Sequence, residues 1–174
     1  MALGAMPLRI VVMGVSGCGK STVGAALARA LGLRFVEGDA LHPPRNVALM
    51  AAGTALTDDD RRDWLGALSD VLAKAATGGQ GLVLSCSALK RSYRELLRAG
   101  DPGLRLVHLH GARELLEQRM RSRSGHYMPP SLLQSQLDTL EPPQADEHAV
   151  TLDIAAAPQE QLGRAVRELE ATTP

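Results

Sequence analysis

The sequence predicts an α/β protein with a parallel central sheet, and three observations carry that prediction. Apolar runs alternate with helix-patterned segments from one end of the chain to the other, the arrangement expected of βα repeats. The first run, residues 8–13 (LRIVVM), has the predominantly apolar character of a strand buried in a parallel sheet. It passes directly into Gly14-Val15-Ser16-Gly17-Cys18-Gly19-Lys20-Ser21, a G-x-x-x-x-G-K-S motif. A helix-patterned segment with Val23, Leu27, Ala28, Ala30 and Leu31 follows.

The elements follow in order. After the strand at 8–13 comes a helix over 20–31, then a second strand at 34–37. A short helix at 46–51 precedes a long one at 59–76, closed by Gly78-Gly79. The third strand, 82–85, leads into a helix at 90–98. Gly100-Asp101-Pro102-Gly103 then turns the chain into a fourth strand at 104–109. Helices at 113–121 and 131–140 flank an irregular stretch that mixes Arg, Ser and Gly and ends in Pro129-Pro130. That stretch reads as a mobile lid over about 119–130. A fifth strand at 149–154 and a helix at 159–169 complete the chain. There is no internal repeat, low-complexity tract or interdomain linker, so residues 1–174 read as a single domain.

Strand, glycine loop and helix are the context in which the first motif binds phosphate. Its glycines let successive backbone N–H groups turn inward on an anion, and the positive end of the helix dipole faces the same point. Lys20 would reach the β- and γ-phosphates of a nucleoside triphosphate, and the Ser21 hydroxyl would ligate Mg²⁺.

Bulk composition excludes several classes. Lys plus Arg and Asp plus Glu both number 19, so the formal charge is zero and argues against a nucleic-acid surface. One Trp, two Tyr and one Phe leave few platforms for stacking bases. Cys18 and Cys86 make neither a disulfide framework nor a zinc site, and free thiols suit a reducing cytoplasm. No apolar run approaches the ~20 residues of a membrane span, and the first seven residues lack the pattern of a signal peptide.

In open α/β sheets, ligands bind beyond the carboxyl ends of the strands, so the polar residues there are the site candidates. After the second strand stand Gly38-Asp39-Ala40-Leu41-His42-Pro43-Pro44-Arg45-Asn46. Asp39 would orient or deprotonate an acceptor hydroxyl, or hold Mg²⁺ through water; an Asp after Gly also caps turns. His42 shares the loop. Thr57-Asp58-Asp59-Asp60-Arg61 opens the long helix with Thr57 or Asp58 as cap, and three adjacent acids exceed what capping needs. Arg61 could bind a carboxylate through paired N–H bonds. Trp64, one turn on, belongs to the core or walls an acceptor pocket.

After the third strand comes Ser85-Cys86-Ser87-Ala88-Leu89-Lys90-Arg91-Ser92-Tyr93-Arg94. Many phosphate-loop proteins carry a metal-holding Asp here, and this chain has serine, so Mg²⁺ would depend on Ser21, phosphates, water and Asp39. Lys90, Arg91 and Arg94 crowd a helix start, where the dipole disfavours cations, and an anionic ligand would explain at least one of them. The run from Arg119 to Met128 is the densest positive stretch. As a lid its arginines, Arg119 and Arg123 foremost, would neutralise a transferring phosphoryl group and exclude water.

Together these segments resemble the small bacterial-type gluconokinases of the P-loop kinase group. The matching pieces are GVSGCGKST at Gly14–Thr22, GDALHPPRN at Gly38–Asn46, and M-x-x-G-x-x-L-x-DDDR from Met50 to Arg61. Trp64-Leu65, SCSALKRSYR at Ser85–Arg94, RSGHYMPPSLLQSQLDTLEPP at Arg123–Pro143, and Asp146-Glu147 continue them. The likeness runs from the first strand to about Pro158. Tyr127 stands where such proteins often have Phe. The resemblance implies a P-loop NTPase fold of the nucleoside-monophosphate-kinase type, three-layered, with a five-stranded parallel sheet and a closing lid. It implies Mg²⁺-supported transfer from ATP to the terminal hydroxyl of D-gluconate, and such kinases are often homodimers.

Nucleotide contacts would then come from Gly14, Ser16, Gly17, Cys18, Gly19, Lys20, Ser21 and Thr22, with adenine near Arg119 and Pro158. Gluconate has one carboxylate and a row of hydroxyls. Arg61, Lys90, Arg94 and His126 are cations for the former, and Asp39, His42, Asp59 and Gln136 are partners for the latter, with Arg45 beside them. The sequence leaves open which cation takes the carboxylate. Rival readings are a kinase of shikimate or another sugar acid, and a module that senses ATP or its ligand without transfer.

Overall fold

The computed structural model describes residues 6–123 and 129–172. All five expected strands form: β1 (Arg9–Met13), β2 (Arg34–Glu37), β3 (Leu82–Ser85), β4 (Arg105–His110) and β5 (Val150–Asp153). They make one sheet in the order β2-β3-β1-β4-β5, with every pair parallel. All five residues of β1 are buried, as the central strand of a sheet covered on both faces must be.

The helices are α1 (Lys20–Leu31), α2 (Pro44–Ala51), α3 (Asp58–Thr77), α4 (Arg91–Gly100), α5 (Arg113–Ser122), α6 (Pro130–Thr139) and α7 (Pro158–Ala171). Helix α2 starts two residues before its expected bound because Pro44, whose fixed φ suits a first turn, leads it. Two short 3₁₀ turns, Gly38–Leu41 and Ala145–Glu147, have no periodic signature in the sequence. Thr57 is the cap of α3: its hydroxyl accepts from the Asp60 N–H while the Asp60 carboxylate accepts from the Thr57 N–H. Such a reciprocal cap contributes on the order of 1 kcal/mol.

The core is aliphatic. Ile10, Val11, Val12, Leu82, Val83, Leu84 and Val107 fill the sheet, with Leu27, Leu68, Leu72 and Leu97 packed against it from the helices. Helix α1 lies against α7 and β3, and α3 lies against α4. Because β1 sits between β3 and β4 while β2 lies outside β3, the loops after β1, β2 and β3 open on one crevice at the carboxyl edge of the sheet.

Candidate active site

The phosphate loop occupies that edge. Gly19 caps α1 with φ 93°, a left-handed conformation natural to glycine, and a side-chain carbon there would sit 3.9 Å from Arg119 Nη1. Lys20 Nζ donates to the Val15 carbonyl at 3.2 Å, so the lysine folds along its own loop. Cys18 is buried beneath the loop and Thr22 is exposed on the first turn of α1. The Ser16 N–H donates to Gln136 Oε1 at 2.7 Å, tying α6 to the loop from 120 residues away.

Beside Ser21 the structure places an acid that the sequence reading did not single out. The carboxylate hydrogen-bonded to the Ser21 hydroxyl is Glu37, the last residue of β2, and not Asp39. Glu37 Oε1 also accepts from Ser85 Oγ at 2.6 Å. Glu37 and Ser85 lie opposite each other in the β2–β3 register, so the serine that replaces the usual acid of β3 brings the neighbouring strand's carboxylate to the same place. A legible signal existed: an acid closing a strand just before Gly38-Asp39. Hydroxyl and carboxylate oxygens are the donor set Mg²⁺ takes. Among the described residues no three His, Cys, Asp or Glu cluster into a metal cage.

The chain then turns sharply. A side-chain carbon on Gly38 would fall 1.9 Å from the Ser85 carbonyl oxygen, so only glycine lets β2 run on against the end of β3. Trp64, 1 % exposed, donates from Nε1 to the Gly38 carbonyl at 2.8 Å and stacks on His42 with ring centroids 4.0 Å apart. Trp64 is therefore core, and it also fastens the loop after β2. Buried Asn46 donates from Nδ2 to the Asp60 carbonyl at 2.8 Å and lies 3.2 Å from His42 Nδ1. An amide N–H can only donate, so Nδ1 accepts and the His42 proton sits on Nε2, 4.0 Å from Asp39 Oδ1. Burial lowers the pKa of His42, with the nearby Asp39 charge opposing.

Cys86, buried just after β3, feels the charges of Asp39, Lys20 and Arg61 only as minor influences on its thiol. Burial pushes that thiol up to about 12, so it is inert. Arg61 Nη1 donates to the Leu56 carbonyl at 2.8 Å and to the Tyr93 hydroxyl at 3.1 Å.

Other expected residues lie elsewhere. Arg94 is a correction: its side chain is 0 % exposed and grips Glu147 through Nε at 2.7 Å and Nη2 at 2.9 Å. Its Nη1 meets the Ala88 and Leu89 carbonyls, so it is a buried strut with no surface for substrate. Its partner is 53 residues away in the chain, and for that reason a cation at this helix start reads as a ligand contact in the sequence. Asp59 pairs with Arg62 on open surface, and its neighbour Asp58 holds Lys90 at 3.0 Å. Arg45 is exposed and pairs with Asp60 at 3.3 Å, joining α2 to α3. Arg91 pairs with Asp146 and Glu95.

On the opposite flank, Arg119 donates from Nη2 to the Ile154 carbonyl at 2.7 Å, just before the loop that ends at Pro158. The structure thus brings Arg119, Gly19 and the end of β5 together. Arg123 caps the exposed end of α5. His126 lies outside the described residues, as do residues 124–128 of the expected lid.

Residues 10–143 match a family described as an AAA domain. The chain is 48% identical over 169 residues to a gluconokinase of Gluconobacter oxydans (strain 621H), covering 97% of this chain and 95% of that one. The chain belongs to the gluconokinase family. The crystal structure of a gluconokinase from Sinorhizobium meliloti 1021 is similar to it with a TM-score of 0.88 and 50% identity, over 97% of this chain and 94% of that one. The unliganded crystal structure of a sugar kinase from Janibacter sp. HTCC2649 is similar with a TM-score of 0.90 and 44% identity, over 96% of each chain. The segments GDALHP, DDDR and CSALK adjoin: His42 stacks on Trp64 of the helix that DDDR opens, and Lys90 pairs with Asp58.

Proposed function

We propose that this chain transfers the γ-phosphoryl group of ATP to the terminal hydroxyl of D-gluconate, giving 6-phospho-D-gluconate and ADP. The observation that carries the reading is the hydrogen bond from phosphate-loop Ser21 to Glu37, two residues before Asp39, in a chain 48% identical to a gluconokinase. In-line transfer requires the triphosphate and the acceptor to meet, and this link puts the loop that carries Asp39 beside the phosphate loop.

Each residue has a task that its surroundings suit. Lys20 leaves the Val15 carbonyl to neutralise the β- and γ-phosphates. Asp39, with 65% of its side chain exposed, accepts a hydrogen bond from the acceptor hydroxyl and takes its proton as the phosphoryl group departs. His42 Nε2–H steadies that carboxylate or a neighbouring hydroxyl. Arg61 takes the acceptor's carboxylate, because Arg94 is committed to Glu147 and Lys90 to Asp58. Ser21 and Glu37 would hold Mg²⁺, which supplies charge neutralisation on the phosphates when bound. Arg119 walls the nucleotide near the end of β5, and Arg123 with His126 belongs to a lid that excludes water. Gln136, anchored on the Ser16 N–H, joins α6 to the phosphate loop.

The acceptor is a small acid, and the formal charge of zero argues against a nucleic-acid surface. Two free, buried cysteines fit work in the cytoplasm.

The test is kinetic. Lys20→Ala and Asp39→Asn should each lower kcat by orders of magnitude with the fold intact. Normal turnover in Asp39→Asn would remove it as the base, and normal turnover in Lys20→Ala would remove the site.

A further inference from the structure

The guanidinium of Arg61 is held in one orientation by a chain of hydrogen bonds. Its Nη1 carries two hydrogens, and both have protein acceptors: the Leu56 carbonyl at 2.8 Å and the Tyr93 hydroxyl at 3.1 Å. What remains is the Nε–H and the two hydrogens of Nη2, the side-on edge that grips a carboxylate with two parallel bonds. Among the described residues no carboxylate pairs with Arg61.

Asp58 is the acid within reach of the same cluster, and two groups keep it occupied. The Tyr93 hydroxyl donates to Asp58 Oδ1. Lys90 Nζ donates to both Asp58 oxygens, at 3.0 and 3.2 Å. An ionised carboxylate only accepts, so the Tyr93 proton must point at Asp58, which turns the tyrosine lone pairs toward Arg61. The polarity of the chain, Arg61 to Tyr93 to Asp58, is therefore fixed. The same tyrosine ring lies 5.5 Å beneath the Arg61 guanidinium and 5.7 Å from Lys90 Nζ, a further restraint on both cations. Tyr93 is 4 % exposed and belongs to the core, so the platform is rigid.

We propose that Tyr93 is a positioning residue that presents the Nε/Nη2 edge of Arg61 to the acceptor's carboxylate while holding Asp58 off that edge. The inference rests on the reading that the acceptor is a sugar acid, and it identifies what makes the site selective for one. A polyol of the same length gains nothing from the presented edge. An acceptor carrying its carboxylate on the carbon farthest from the reacting hydroxyl gains two charge-assisted bonds.

The experiment is steady-state kinetics on the full chain and on Tyr93→Phe, with D-gluconate and with D-glucitol, the polyol lacking the carboxylate. Thermal unfolding checks that both proteins are folded. The substitution should raise the KM for gluconate about tenfold or more, the effect of losing one hydrogen bond to a charged group. The kcat with gluconate and the KM for ATP should stay within about twofold. Turnover of glucitol, however slow, should be unchanged by the substitution. Equal losses on gluconate and glucitol would overturn the proposal, since they would mark a general structural role. A gluconate KM that does not move would overturn it too, while leaving the functional reading intact. A parent protein that phosphorylates no gluconate would overturn that reading and this inference together.

Discussion

Replacing Arg94 with methionine separates a strut from a ligand at a position where the sequence pattern points to a ligand. The Arg94 and Glu147 side chains are 0 % and 1 % exposed, and the guanidinium meets both carboxylate oxygens. Methionine fills much of the volume but leaves Glu147 with only Arg98 at 3.1 Å and the Gln144 N–H at 3.0 Å. Removing one partner of a buried pair costs ~3–5 kcal/mol, and the surviving Arg98 contact puts the cost here near the lower end. At about 2–4 °C per kcal/mol for a chain of this size, a loss of ~3 kcal/mol lowers the melting temperature by roughly 6–12 °C. Adding Glu147→Leu to Arg94→Met should recover much of that loss, because a matched apolar pair carries no stranded charge. Thermal unfolding reads the stability, and a gluconate KM measured well below the transition reads the site. The expected result is a large fall in melting temperature with a KM close to the parent's. An unchanged melting temperature with a much higher KM would refute the buried-strut reasoning and restore Arg94 to the substrate.

Other consequences follow from the same contacts. Glu37→Gln should lower activity about tenfold to hundredfold and raise the Mg²⁺ concentration needed for half-maximal rate, the size expected when a partner of a metal site is neutralised. A titration of Mg²⁺ at fixed ATP checks it. Gly38→Ala places a carbon 1.9 Å from the Ser85 oxygen, so the loop carrying Asp39 must shift. A destabilisation of ~1–3 kcal/mol in denaturant melts and a raised gluconate KM are expected. Acid should weaken the fold in two windows. Burial, with smaller help from the charges of His110 and Arg94, lowers His108 from 6.5 to about 4. Its contribution is whole above pH 6.5 and is lost as pH falls toward 4, because the unfolded chain binds that proton first. Burial alone would raise Glu147, but the hydrogen bonds from Arg94, Gln144 and Arg98 prevail and hold it at about 2. Its contribution is whole above pH 4.5 and is lost as pH falls toward 2. Urea midpoints against pH should show both declines, and His108→Leu should flatten the upper one.

Much of the fold is legible in the order of the residues. The strands are apolar runs bounded by turns, and the phosphate loop announces itself by spacing alone. The first three strands and α1 fall where the patterns put them. What the chain does not display locally is partnership across the sheet. Glu37 looks like the end of a strand until β2 is laid beside β3, when its carboxylate reaches Ser85 and Ser21. Arg94 looks like a cation at an unfavourable helix start until Glu147 arrives from a 3₁₀ turn that has no periodic signature. Among three adjacent acids, only the helical phase of α3 decides that Asp58 faces Lys90 and Tyr93 while Asp59 faces Arg62. Asp39, His42 and Arg61 draw attention in the sequence because each sits just past a strand or at a helix start, and they carry the acceptor site proposed above.

The most direct test of the central claim is ADP formation by the purified chain with ATP and Mg²⁺ across a panel of acceptors: D-gluconate, shikimate, other sugar acids and D-glucose. The account predicts gluconate-dependent ADP release, with 6-phospho-D-gluconate as product and a kcat/KM well above that of every other acceptor. Faster turnover of shikimate or another acid would contradict the acceptor assignment. Stabilisation by ATP and gluconate with no ADP formed would contradict catalysis itself.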